Sequence, residues 1–158
     1  MDDLKKYCRQ QYNWLLGSRK KMFHYCDLIP SADLSKTIPF FGNGGSIQLM
    51  LNHIIESYDF WIARHLVRMP MNRDALAITS YENIKDLFGQ VDQAMAFLWE
   101  NSDLSLNSSI VYDLNGVQST ATVFEVFTHV ITHEFHHKGQ ILSMGRYLGY
   151  IPWDTDIL

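Results

Sequence analysis

Between Thr128 and Gly149 the chain reads THVITHEFHHKGQILSMGRYLG, a stretch that holds four of its seven histidines. His129, His133 and His137 recur every four residues. On a helix that spacing stacks side chains on one face, with Cβ atoms about 6 Å apart, so two imidazoles at i and i+4 can reach one metal ion without bending the backbone. Val126 and Val130 flank His129, and Ile141, Met144 and Leu148 follow His137. An apolar stripe of that period faces the core of a helical protein. The pattern predicts a long helix with its histidines on the core-facing side.

Spacing alone leaves two readings open. Seven histidines in 158 residues give roughly 0.3 such pairs by chance, so one pair is a weak motif, but here two overlap. The histidines are either core residues satisfied by hydrogen bonds or metal ligands, and a third ligand from elsewhere would favour the second reading. His133-Glu134-Phe135-His136-His137 also fits H-E-x-x-H, where the Glu is a general base. The longer form of that pattern fails, because Ser143 stands where a third His belongs and no Glu follows Glu134. Glu134 is read instead as a solvated or interhelical carboxylate.

A chain of 158 residues is long enough for one domain with a full core. At 47% hydrophobic and 19% charged it has the make-up of a soluble globular protein. Its net charge is -4, and its longest basic run is Arg19-Lys20-Lys21, which argues against a nucleic-acid or anionic-membrane surface. The triplet reads as the solvated side of a helix. No apolar run approaches the ~20 residues of a membrane span, and the acidic start Met1-Asp2-Asp3 is no secretory leader. Cys8 and Cys26 would lie about 27 Å apart along a continuous helix, too far to pair. They read as reduced, buried thiols of a cytoplasmic protein.

In chain order, residues 3–28 predict a first helix with the stripe Leu4, Cys8, Tyr12, Leu15, Met22 and Cys26, ended by Ile29-Pro30-Ser31. Leu34 to Gly45 is a connector carrying Pro39 and Gly42-Asn43-Gly44-Gly45. Ser46 caps a second helix to about Val67, where His53 shares the stripe of Leu49, Met50 and Phe60. His65 sits near its end, suited to the helix dipole. Thr79-Ser80-Tyr81-Glu82 is a capping box opening a third helix to about Asn101, with Ile84, Leu87, Phe88, Val91, Met95 and Leu98 as its stripe. Residues 109–121 predict a hairpin turning at Asn115-Gly116. Thr122-Val123-Phe124-Glu125 is a second capping box, opening the fourth, histidine-bearing helix, which Gly149 and Pro152 end. Four such helices indicate an all-α, up-and-down four-helix bundle with a small β-hairpin between helices 3 and 4. His53 and the pair His133 and His137 lie at compatible depths for a shared site.

Leu51-Asn52-His53-Ile54 and His133-Glu134-Phe135-His136-His137-Lys138-Gly139-Gln140 resemble two segments of the DinB-like (DinB/YfiT-like) family, the latter its H-x-x-x-H-[RK]-G-Q segment. Tyr147-Leu148-Gly149-Tyr150 and Asp154-Thr155-Asp156-Ile157-Leu158 resemble the family's end. The resemblance covers nearly the whole length as one domain. It implies a three-histidine metal site, carried over to His53, His133 and His137. Lys138 stands where many members have Arg. His129 is not implied as a ligand and is read as lining the core, and His136 as a residue behind the ligands or at the surface. Gly139 is read as permitting close helix packing. Gln140 could hydrogen-bond near the site or cap a neighbouring helix.

Three neutral imidazoles leave an open coordination position, as catalytic sites do. Such a site can polarise a substrate oxygen, activate water, or hold a thiol as a thiolate. The resemblance implies a metal site; imidazole suits zinc, nickel, iron and copper, with zinc the default divalent ion and nickel next, and a small-molecule substrate is expected. A thiol-dependent S-transferase using a low-molecular-weight thiol, a hydrolase, and a non-catalytic metal-binding stress-response or interaction bundle all follow from it. A homodimer is a family-level expectation.

Overall fold

The computed structural model describes residues 3–41, 45–72, 80–100 and 105–157. The chain is mostly helical, with one two-stranded antiparallel hairpin. Its elements in order are α1 (Asp3–Cys26), the four-residue α2 (Ser31–Leu34), α3 (Ile47–Tyr58), a π-helical continuation (Asp59–Leu66), α4 (Tyr81–Glu100), β1 (Ser109–Leu114), β2 (Val117–Thr122) and α5 (Val123–Tyr147). Among the described residues no helix is long and apolar enough to cross a membrane.

The predicted stripes are the buried faces. On α4, Ile84, Leu87, Phe88, Val91, Met95 and Leu98 are all buried, and on α1 Cys8, Tyr12, Leu15, Met22 and Cys26 are. Leu4 and Leu49, placed on stripes by their spacing, are exposed. α3 packs on α4 and α5, and α1 packs on α5. Cys8 and Cys26 are both buried. Burial pushes the Cys26 thiol up to about 12, so it stays protonated at neutral pH.

Local chemistry sets several boundaries. Ser46 Oγ accepts from Leu49 N at 3.2 Å and starts α3. The capping box at Thr122 is complete, with Glu125 N donating to Thr122 Oγ1 and Thr122 N to Glu125 Oε2. At α4 it is Ser80 that accepts from Asn83 N, at 3.2 Å, while Thr79 and Asn101 lie outside the described residues. Asn115 (φ 57°) and Gly116 (φ 82°) turn the hairpin with positive φ at both positions, which aligns Leu114 with Val117.

Two features depart from the sequence reading. Residues taken as the end of the first helix and the start of a connector form α2 instead, and Leu34 is buried there. Residues 42–44 and 158 lie outside the described residues. The second helix also changes type after Tyr58. In the π-helical segment residues five apart face each other, so Arg64 pairs with Asp59, and His65 Nδ1 lies 2.6 Å from Phe60 O. His65 thus meets a specific carbonyl near the helix end. Asp59 is buried and also accepts from Met71 N at 2.8 Å, which ties the chain beyond the helix back onto it.

Candidate metal centre

α3 and α5 bring His53, His133 and His137 together. His133 Nε2 lies 3.1 Å from His53 Nε2 and 3.0 Å from His137 Nε2. The ligand atoms of all three lie within 4.8 Å of one another. Two nitrogens bound to one ion at about 2.0–2.1 Å with a near-tetrahedral angle lie about 3.3 Å apart, so the spacing suits a shared cation. His137 is buried, and the His53 side chain is 33% exposed, so the cluster opens toward solvent on the α3 side.

The donor chemistry fits as well. His137 Nδ1 lies 2.6 Å from Gln140 Oε1. A carboxamide oxygen only accepts, so the Nδ1 proton donates to it and the neutral ring presents its Nε2 lone pair inward. Gln140 therefore faces the site rather than capping a neighbouring helix. His53 Nδ1 is 4.0 Å from Glu56 Oε2, and Asn52 Nδ2 holds the other Glu56 oxygen at 2.9 Å. His133 Nδ1 is buried with no hydrogen-bond partner among the described residues. Burial foremost, then the neighbouring His137 and His53, pushes His133 down to about 3, and burial also lowers His137. All three effects favour neutral rings, the form that binds metal.

Two further histidines border the triad without belonging to it. His129 is exposed rather than lining the core, and its ring packs at 5.3 Å from Trp61 and 5.5 Å from His133. Trp61 also meets Tyr112 of β1 at 4.7 Å, so an aromatic margin runs from the hairpin to the triad. His136 is at the surface, its ring 4.8 Å from that of His137.

Glu134 is an interhelical carboxylate, 3% exposed. Arg19 Nε donates to its Oε1 at 2.6 Å and Arg19 Nη2 to its Oε2 at 2.8 Å. Tyr58 OH donates to Oε2 at 2.7 Å. Arg19 Nη1 and Tyr12 OH both donate to Asp92 Oδ1 at 2.6 Å. Arg19 is therefore not on a solvated side as its basic triplet suggested. Burial works against its charge, but Glu134, Tyr12 and Tyr58 together outweigh that and hold the guanidinium well above its ordinary value. The signal was available: Cys8, Tyr12, Leu15, Met22 and Cys26 leave one gap in their alternation of three and four, and Arg19 fills it.

Lys138 is buried too. Its Nζ donates to Ser18 Oγ at 2.8 Å and to Thr155 O at 2.9 Å, which pins the C-terminal segment against α1. Gly139 faces open space and does not mediate packing. That role belongs to Gly145, where an added Cβ would overlap the Tyr25 hydroxyl and lie 2.8 Å from Tyr25 Cζ.

Comparison with known proteins agrees with this geometry. The DinB family model matches residues 1–158. Protein DinB of Bacillus subtilis (strain 168) is 30% identical over 122 residues, which cover 70% of this chain and 69% of that protein. Two histidine segments, a shared cluster of ring nitrogens and a match over the full length agree, and the chain belongs to the DinB family.

Proposed function

We propose that this protein is a metal-dependent enzyme acting on small molecules, with the ion held by His53, His133 and His137. One observation carries the reading: among the described residues, ring nitrogens from two helices converge as a set of three. Structural zinc sites are closed by four protein ligands, whereas three leave a position for a substrate. Imidazole donors suit zinc, nickel, iron and copper, so zinc is the first ion to test and nickel the next. When bound, such an ion supplies Lewis acidity that polarises an oxygen or favours the ionised form of a thiol.

The chain's own residues bind and orient. Gln140 fixes the ring of His137 and keeps its proton on Nδ1. Glu56, anchored by Asn52, stands beside His53 Nδ1. Trp61, Tyr112 and His129 offer an aromatic margin against which an organic substrate can pack. Both oxygens of Glu134 are taken by Arg19 and Tyr58, which removes the carboxylate that H-E-x-x-H chemistry needs as a base. That favours transfer of a low-molecular-weight thiol to a small electrophile over hydrolysis, because an ionised thiol needs no base to attack.

The same reading takes residues 1–158 as one domain, with the four long helices as an up-and-down bundle. It is supported by the contacts of α3 with α4 and α5, and by the Arg19 network that joins α1, α3, α4 and α5. Exposed Tyr7, Trp14 and Phe124 on α1 and α5 support a homodimer. Buried thiols at Cys8 and Cys26 support a cytoplasmic setting.

Metal quantification of the untagged protein, then a screen of thiols with small electrophiles, tests the reading. Electrophile consumed only when thiol is present supports the transferase. Consumption without thiol indicates a hydrolase, and bound metal without turnover indicates a non-catalytic metal-binding bundle. Absence of bound metal after loading overturns the assignment of the triad.

A further inference from the structure

We propose that the buried Arg19–Glu134–Tyr58 cluster is a positioning device that sets the rotation of α5 and so holds His133 and His137 opposite His53. The proposal rests on the metal reading of the triad.

Each triad histidine of α5 is followed by a buried charged residue, Glu134 after His133 and Lys138 after His137. One residue turns a helix by about 100°, so the charged pair forms a second row beside the histidine row. Adjacent residues of α1 grip that row: Arg19 takes both oxygens of Glu134, and Ser18 Oγ takes Lys138 Nζ. Tyr58 adds a bond from α3, the helix that carries His53. Glu134 is thus held from α1 and α3 together, and α4 braces Arg19 from behind through Asp92.

Magnitudes favour a positioning role. A side-chain atom about 6 Å from a helix axis moves about 2 Å when the helix turns 20°, which equals a whole metal–nitrogen bond of about 2 Å. The apolar faces of α5 tolerate small rotations, whereas a bidentate guanidinium–carboxylate pair does not. A buried ion pair adds little stability over an apolar replacement of similar volume, so its contribution here is directional.

The test uses the full chain, stripped by chelator and titrated with Co2+ while its visible absorption is followed. Glu134→Gln keeps the shape but turns an NH2 toward one of the Arg19 donors. It should retain the helical circular dichroism of the unaltered protein, bind Co2+ about 10–100-fold more weakly, and change the absorption spectrum. Tyr58→Phe should weaken binding about 3–10-fold, a smaller effect because the bidentate Arg19 grip remains. Val91→Ala, a cavity on α4, a helix that carries neither row, should lower the melting temperature and leave Co2+ affinity unchanged. A folded Glu134→Gln protein with unaltered affinity and spectrum overturns the proposal while leaving the triad reading intact. So does a Val91→Ala protein weakened as much as Glu134→Gln, since stability alone would then explain the loss. If Glu134→Gln does not fold, Tyr58→Phe decides, and unchanged affinity there overturns the proposal. An unaltered protein that binds no Co2+ removes the triad reading and this proposal together.

Discussion

α5 carries two polar rows side by side that handle polarity in opposite ways. Along His133 and His137, ring nitrogens face one another across 3.0 Å, and His133 Nδ1 has no partner among the described residues. Along Glu134 and Lys138, both carboxylate oxygens are taken, and the ammonium meets Ser18 Oγ and Thr155 O. A buried polar group is tolerated when its bonds are made inside the protein. The charged row meets that condition, whereas in the histidine row the bonds are between rings and His133 Nδ1 stays unpaired among the described residues. One row braces the fold and the other is the candidate metal site, although a single residue separates them.

Breaking the charged row should cost the most. Glu134→Ala leaves the Arg19 guanidinium, 4% exposed, with the half-exposed Asp92 as its remaining carboxylate partner among the described residues. Removing one partner of a buried pair costs about 3–5 kcal/mol, so urea unfolding of the metal-free protein should show a loss of that size. A loss below about 1 kcal/mol would mean that water reaches Arg19 and that the charged row does not brace the fold.

The histidine row should respond in the other observable. His133→Ala should lower metal affinity about 100-fold or more, beyond what losing an outer partner costs. It should change the stability of the metal-free chain by less than about 1 kcal/mol. His136→Ala should leave metal content intact, and equal occupancy in the two variants would show that the ligand assignment is wrong. Acid sharpens the contrast. The folded His133 is pushed from 6.5 to about 3, mainly by burial, and His129 and His137 are lowered by burial as well. Below pH 6.5 the unfolded chain therefore binds more protons than the folded one. Stability contributed by the neutral rings is present above pH 6.5 and is lost as pH falls toward 3. The urea midpoint of the metal-free protein should fall across that window, and less steeply in His133→Ala. Parallel pH curves for the two proteins would show that the ring is not desolvated.

The site was more legible in the sequence than the structure that braces it. Imidazoles at i and i+4 declare themselves by spacing, but spacing leaves core and ligand readings open, and it is the family resemblance that carries a metal site to His53, His133 and His137, whose rings the fold brings together. Asn115-Gly116 and the Thr122 capping box were equally local and appear where expected. Arg19 was misplaced because charge was weighed above period, although its position completes the α1 stripe. The π-helical segment has no residue signature at all. It reveals itself only in pairs five apart, Asp59 with Arg64 and Phe60 with His65. Gly139 and Gly145 look alike in sequence, and only the approach of Tyr25 distinguishes them.

Those two glycines give the mildest test of which side of α5 is closed. Gly145 continues the line of Glu134, Lys138 and Ile141 toward α1, and the Tyr25 hydroxyl beside it donates to Tyr150 O at 2.7 Å. A methyl group there must push Tyr25 aside, and overpacking of this kind costs about 1–3 kcal/mol. Gly139 follows the triad and faces open space within a helix. Alanine is favoured over glycine in a helix interior by about 0.8–1 kcal/mol, so Gly139→Ala should raise the unfolding midpoint slightly and leave metal affinity unchanged. Opposite signs for the two alanines would mark the α1-facing side as packed to its limit and the side next to the triad as open. A destabilising Gly139→Ala would instead mean that something packs over α5 beside His137, where a partner or substrate would have to approach.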